Sequence, residues 1–314
     1  MKVAFWDNYL CERGTTVAVF DYAYYNQTLL NNESVILYNS SIPASEQSVI
    51  EKFKRYFKVY GAENFAEAEK KMLEEEIDVF YIIKSGENEG QFSKKIKTCV
   101  HCVYNANDPH GHVYSTIAPW VPGTNGVRPV VPHMVNLPNH DKNLRDVLNI
   151  PDDATVFGGY GGKDNFSINY VRELVFELAN SNPNMYFIFA NYPKFCDDLP
   201  NIIHMPMVVD LDKKVSFINT CDAMLWASKY GETMSMAQGE FCVRNKPIIC
   251  TEIGILGHKH LLKDQAIWYF DKEDLRKKLL NFDRKEVSKK DWNAYKEYTP
   301  EKVMKIFKEI YLDS

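Results

Sequence analysis

With 314 residues the chain is long for one hydrophobic core and comfortable for two domains, and its 45% hydrophobic and 25% charged content is that of an ordinary soluble globular protein. A net charge of −5 argues against a nucleic-acid partner, and no apolar run approaches the roughly 18 residues of a membrane span. Seven scattered cysteines fit a reducing, cytoplasmic compartment, and Met1-Lys2-Val3-Ala4-Phe5-Trp6-Asp7 turns polar too soon for a signal peptide.

Residues 2–6 read as the first strand, after which Glu12-Arg13-Gly14-Thr15-Thr16 turns into a helix over 15–30. A glycine at such a strand-to-helix turn lets backbone approach a ligand, so Gly14 is a candidate binding position. Strands at 34–38, 57–60, 78–83 and 98–104 alternate with helices at 48–56 and 65–76, and this alternation predicts a mostly parallel sheet. Five prolines between Pro119 and Pro138, with Gly123 and Gly126 among them, make the sharpest break in composition. Within that break 130–135 reads as the last strand of the first sheet and 141–148 as a short helix, which sets the first domain at 1–150.

The pattern then restarts. Strands are expected at 155–160, 185–190, 202–205, 223–226, 248–251 and 266–269, with helices at 167–180 (Ser167 as cap), 211–219, 233–245 and 256–263. Behind the first of these strands, Gly158, Gly159, Gly161 and Gly162 precede Lys163, a loop able to offer backbone N–H groups and a cation to a diphosphate. Helical stretches at 272–282 and 285–298 complete a second domain, 151–299. Thr299-Pro300-Glu301 opens a last helix, 300–311, whose Val303, Ile306, Phe307 and Ile310 form an apolar stripe.

The stretch 222–250 reads as strand, loop, helix, strand, with Glu232 at the helix start. An acid there would bond a ligand's hydroxyls rather than its phosphate. Glu240 follows eight residues on, about 12 Å along a helix. Pro247 stops the helix before the next strand. The spacing of Glu232, Glu240 and Pro247 resembles the signature of retaining GT-B glycosyltransferases of family 4: two glutamates separated by seven residues, then a proline seven residues after the second. Met234-Ser235-Met236 stands where members usually carry Phe-Gly-Leu, and Gly159 where they carry an arginine toward the donor phosphates.

The resemblance implies an α/β GT-B fold: two Rossmann-like domains facing each other across a cleft, the acceptor on the first, the donor on the second, and the helix 300–314 crossing back to the first. It implies that Glu240 binds ribose, and that Glu232 with the backbone at Thr233, Met234 and Ser235 holds the sugar hydroxyls. Lys163 would neutralise the leaving diphosphate, Gly14, Gly158, Gly159, Gly161 and Gly162 would lie against the donor, and His101 would face the donor sugar. Lys229 or Arg244 could replace the absent arginine. The implied reaction moves a sugar from a nucleotide-diphosphate donor, GDP-mannose in preference to a UDP-sugar, to a glycan or other hydroxyl, with no metal and no cofactor; a homodimer is compatible with it. The alternative is a non-catalytic nucleotide-sugar or glycan binding protein on the same fold, motivated by the absent arginine and by Met234-Ser235-Met236. Cys99 and Cys102 form a CxxC without a second one and on opposite strand faces, which argues against metal and redox roles. Asp210-Leu211-Asp212 precedes a helix and reads as a cap.

Overall fold

Brief apolar runs, most only three to six residues long, become the strands of two six-stranded parallel sheets. The computed structural model describes residues 1–314, which divide into one unit of Met1–Met134 with Tyr298–Ser314 and another of Val135–Glu297.

The first unit runs β1 (Lys2–Asp7), α1 (Gly14–Thr28), β2 (Glu33–Asn39), α2 (Gln47–Lys54), β3 (Lys58–Ala62), α3 (Phe65–Glu74), β4 (Val79–Lys84), β5 (Lys97–Cys102) and β6 (Val113–Thr116). Its sheet has the order β3-β2-β1-β4-β5-β6, the doubly wound arrangement of a Rossmann fold. Every residue of β4, Val-Phe-Tyr-Ile-Ile-Lys, is buried, as expected of a central strand covered on both faces. The sixth strand is β6 and not the expected 130–135 stretch, which makes only a bridge from Val130 to Thr116. Pro129 and Pro132 lack the N–H groups that a longer ladder needs.

The second unit runs β7 (Thr155–Tyr160), α4 (Asn169–Ser181), β8 (Met185–Ala190), β9 (Ile202–Met205), α5 (Leu211–Thr220), β10 (Ala223–Leu225), β11 (Gly231–Glu232), α6 (Met236–Val243), β12 (Ile248–Cys250), β13 (Ile255–Leu256), α7 (Gly257–Leu262), β14 (Ala266–Trp268), α8 (Lys272–Leu280) and α9 (Arg284–Val287). The order β14-β12-β10-β7-β8-β9, taken from the β9 edge, repeats the winding of the first sheet. Residues 135–150 go with this unit. Leu144 N donates to Thr220 Oγ1 at 2.8 Å, and Arg244 reaches Asn139 Oδ1 at 3.0 Å and His140 O at 2.8 Å. The expected helix at 141–148 is a series of turns, and the one at 285–298 shrinks to α9. Ser167 does not cap α4, because its Oγ accepts from Lys229 N instead.

The last helix, α10 (Pro300–Phe307), has Pro300 in its first turn and passes into a π-helical turn, Lys308–Leu312, within the first unit. Its buried stripe is Val303, Met304, Phe307 and Tyr311, while Ile306 and Ile310 are only half-buried. The positions 303, 307 and 311 keep the i, i+4, i+8 spacing of one α-helical face, rotated from the expected stripe toward Met304. Phe307 stacks on Tyr22 with centroids 5.3 Å apart, and the Tyr311 hydroxyl bonds Ser115 Oγ. Burying these four side chains contributes about 6–12 kcal/mol before entropy is counted. No helix is long and apolar enough to cross a membrane.

The phase of this stripe is testable by urea denaturation. Phe307→Ala should cost about 3–5 kcal/mol and Ile306→Ala less than half as much. Equal losses would contradict the phase described here.

Candidate functional site

In the second sheet β7 and β10 are neighbours, and the winding reverses between them. Open α/β sheets bind ligands at the carboxyl ends of their strands at such a point. The end of β7 is Gly158-Gly159-Tyr160. A Cβ on Gly158 would lie 2.3 Å from Cys221 Sγ, so this glycine is required by packing inside the sheet rather than by a ligand. A Cβ on Gly159 would lie 3.0 Å from Leu225 O and 3.4 Å from the Tyr192 ring. Gly161 and Gly162 form the turn beyond the strand. Asn165 N closes it on Gly162 O at 2.9 Å, and Asn191 Nδ2 holds Gly161 O at 2.7 Å. Lys163 is exposed on this turn.

The helix of the acid pair starts later than its sequence suggests. Ser235 caps α6 by accepting from Gln238 N, and Thr233, Met234 and Ser235 lie buried ahead of it. Glu232 is not at the helix start. Gly231 and Glu232 pair as β11 with Ile255 and Leu256 of β13, so only part of the interval to Glu240 is helical. Ser235 has φ −81°, ordinary for serine at a cap. The glycine that α6 does need is Gly239, where a Cβ would lie 2.6 Å from the Tyr295 ring and 2.8 Å from Val135.

Glu240 is buried on α6 and already engaged at both oxygens. Lys214 Nζ, from the first turn of α5, donates to Oε1 at 2.7 Å, and the Tyr160 hydroxyl donates to Oε2. The ammonium also stands 5.7 Å from the centre of the Tyr160 ring. A carboxylate has about four acceptor positions, so further hydroxyls can still be received. Neither Lys214 nor Tyr160 was assignable from sequence. Of the two proposed replacement cations, Arg244 is committed to Asn219, Asn139 and His140, and Lys229 is exposed beside the Tyr230 ring.

Glu232 has a different setting. Asn165 Nδ2 donates to its Oε1 at 3.1 Å, and no ion pair holds it. It keeps some accessible surface but is densely surrounded, and burial pushes its pKa to about 7. The nearby Trp226 indole N–H pulls the other way, although it makes no hydrogen bond of full geometry. A carboxyl group poised near neutrality can both accept and donate.

In the first unit, His101 lies on β5 with no exposed surface. Its Nδ1 shares a 2.7 Å hydrogen bond with the Tyr81 hydroxyl, and Tyr22, His133 and Tyr311 surround the ring. Burial first and His133 second hold its pKa well below the ordinary value, and burial pushes His133 down to about 4. The structure places His101 within the aromatic core of the first unit, with Nδ1 held by Tyr81 and Nε2 without a hydrogen-bond partner. Gly14 opens α1, exposed, with no atom within 4 Å of where its Cβ would stand. Asp210 caps α5 by accepting from Lys213 N at 2.9 Å. No group of three or more His, Cys, Asp and Glu side chains is poised to hold a metal, and Cys99 and Cys102 are buried free thiols.

No protein-family model matches the sequence, and no curated protein matches it. Solved structures do match the fold. HepE of Anabaena in complex with UDP-glucose is 12% identical, with 99% of this chain and 98% of that chain covered and a TM-score of 0.72. A glycosyltransferase from Rickettsia africae is 12% identical over 100% of this chain and 99% of its own, with a TM-score of 0.71. WaaG, a glycosyltransferase involved in lipopolysaccharide biosynthesis, is 12% identical over 98% and 99%, with a TM-score of 0.63. The two doubly wound parallel sheets, with the last helix returned to the first unit, are the GT-B fold.

The Glu232 environment carries a signed pH dependence. With its pKa raised from 4.5 to about 7, the group favours folding below pH 4.5 and loses that contribution as pH rises through 7. At pH 8 the charged form opposes folding by up to about 3 kcal/mol, less where water reaches the carboxyl. Glu232→Gln should therefore raise the melting temperature at pH 8, with the gain vanishing toward pH 4.5. A pH-independent difference in thermal unfolding would contradict this.

Proposed function

We propose that the chain is a glycosyltransferase that moves a sugar from a nucleotide-diphosphate donor to a hydroxyl of a glycan or other acceptor, with retention of anomeric configuration. The observation that carries this reading is the carboxyl pair Glu232 and Glu240 beside the switch point of the second sheet, in a fold shared with a UDP-glucose-bound protein. Glu240, with Lys214 and Tyr160 fixing its two oxygens, receives the ribose hydroxyls. Glu232, with the backbone of Thr233, Met234 and Ser235, receives the sugar. Lys163 and the backbone of Gly161 and Gly162 meet the departing diphosphate, and stabilising that charge is the main catalytic task. Fixed dipoles and a lysine suffice for this without a metal ion. A UDP-sugar is the favoured donor, because HepE is bound to UDP-glucose and another fold neighbour, MnaA, to UDP. GDP-mannose, common in the family that the sequence resembles, is its competitor. Retention rests on that resemblance.

Non-catalytic nucleotide-sugar binding is the second reading. It is favoured by the exposure of Lys163 and by the commitment of Lys214 to Glu240. A panel of UDP- and GDP-sugars, followed for nucleotide release and for the anomeric configuration of the product by NMR, separates the two. Binding with no turnover on any donor would overturn the enzyme reading.

Two outcomes test the roles. Glu240→Ala should weaken binding of free nucleotide, whereas Glu232→Ala should spare it and depress turnover. Each charge-assisted hydrogen bond lost is worth about 1.5–3 kcal/mol, roughly ten- to a hundredfold. Equal loss of nucleotide affinity in both variants would contradict this division. Turnover should also survive EDTA; loss with recovery on Mn²⁺ would redirect attention to Asp210 and Asp212.

A further inference from the structure

Near Glu232 lie two buried donors without a well-formed hydrogen bond: the Tyr192 hydroxyl has no acceptor, and the Trp226 indole N–H approaches Glu232 short of full geometry. Leaving such a group unpaired costs about 1–3 kcal/mol, so two at one place call for a physical account. Tyr192 follows β8, and its ring stacks on Phe166 with centroids 5.4 Å apart. Its hydroxyl oxygen would lie 3.7 Å from a Cβ on Gly159 and 3.4 Å from one on Gly161. With glycine at both positions, backbone rather than side chain borders the hydroxyl. Gly161 faces Asn165 as well, whose Nδ2 would be 3.1 Å from the same Cβ, and that amide donates to Glu232. Hydroxyl, amide and carboxyl thus meet at one turn.

Trp226 arrives from the adjoining strand. It follows Leu225, the residue whose carbonyl faces Gly159, and its indole packs on His258 at 4.6 Å between centroids. His258 is fixed in turn by bonds to Thr251 O and Ile255 O, at 2.9 and 3.2 Å. The ring therefore has a fixed seat, while its N–H approaches Glu232 without reaching full hydrogen-bond geometry.

The inventory of groups selects the ligand. A sugar hydroxyl both donates and accepts, so it can donate to Glu232 while accepting from an O–H or N–H. A phosphate oxygen only accepts, and the charged form of Glu232 repels it. The complement of two incompletely bonded donors around a carboxyl group is therefore a polyol ring. Burial, reinforced by Glu232, holds the Tyr192 hydroxyl well above its ordinary pKa, so it stays a donor at any working pH.

We infer that Tyr192 and Trp226, with Glu232 and its positioning residue Asn165, form a hydroxyl-recognition subsite for the transferred sugar. This rests on the function proposed above and adds two specificity residues to it. Tyr192 is remote in sequence from the acid pair, and Trp226 stands at the end of the strand that precedes Glu232.

Calorimetric titration tests it with UDP, UDP-glucose, GDP and GDP-mannose on the wild-type protein and on Tyr192→Phe and Trp226→Phe. Phenylalanine keeps the packed ring of Tyr192 and an aromatic ring in place of the buried Trp226 indole, and a melting curve for each variant verifies folding. Each variant should bind free nucleotide as the wild type does and bind the nucleotide-sugar about tenfold more weakly. Unchanged nucleotide-sugar affinity in both variants, or an equal loss for free nucleotide, overturns the subsite. If the wild-type protein itself binds none of the four ligands, the proposed function falls and the subsite falls with it. Wild-type binding with unaffected variants overturns the subsite alone.

Discussion

The Asp222 carboxylate holds three separate segments of the second unit in register. Oδ2 accepts from Val156 N at 2.8 Å and from Arg145 at 3.1 Å, and Oδ1 accepts from Arg284 at 2.9 Å. Asp222 directly precedes β10 and Val156 lies in β7, so this one group fixes how the two central strands pair. β10 has only three residues, too few to set its register by side-chain alternation alone, and a slip of one would invert its faces. The carboxyl ends of these strands carry the glycine turn and Trp226. The geometry of the site is thus inherited from an ion cluster at the amino ends of the same strands. Such a partly buried cluster adds little net stability, because desolvation offsets its attraction, but it tolerates only one alignment.

Partners, rather than position along a helix, separate the two acids. Glu240 is matched by an ammonium and a phenol, so its negative charge is balanced in place. Glu232 has a neutral amide and an indole for company, and its charge is resisted. Two carboxyl groups in such different settings are suited to different tasks. One can receive hydroxyls, while the other can exchange a proton with the group it touches.

The fold was largely legible because strands such as 79–84 and 185–190 are continuous apolar runs bounded by turns, a signal that needs no tertiary context. β6 was missed because Val-Tyr-Ser-Thr is short and half polar, and only pairing with β5 makes it a strand. The helix of the acid pair was extended too far upstream, because nothing local reveals that Ile255 and Leu256 draw Gly231 and Glu232 into a ladder. The acids drew attention by their spacing alone. Lys214, Tyr160, Asn165 and Tyr192 were not, since they come from other elements and each alone is an ordinary surface or core residue. The place of His101 on a strand was legible, but the neighbours that enclose it depend on the packing of Tyr22, Tyr81 and Tyr311, which no local signal gives.

The return of α10 to the first unit reverses the order in which a ribosome would finish this protein. Residues up to Met134 emerge first, yet Phe307 and Tyr311, which cover Phe5, Tyr22 and Tyr81, emerge last. The second unit, continuous from Val135 to Glu297, is synthesised entirely within that interval. At about 5–20 residues per second the wait is roughly 10–30 s, far longer than a domain needs to collapse. The half made first is therefore the half completed last. During translation its aromatic surface stands open while its neighbour folds, and it is the segment on which a nascent-chain chaperone would have most to hold.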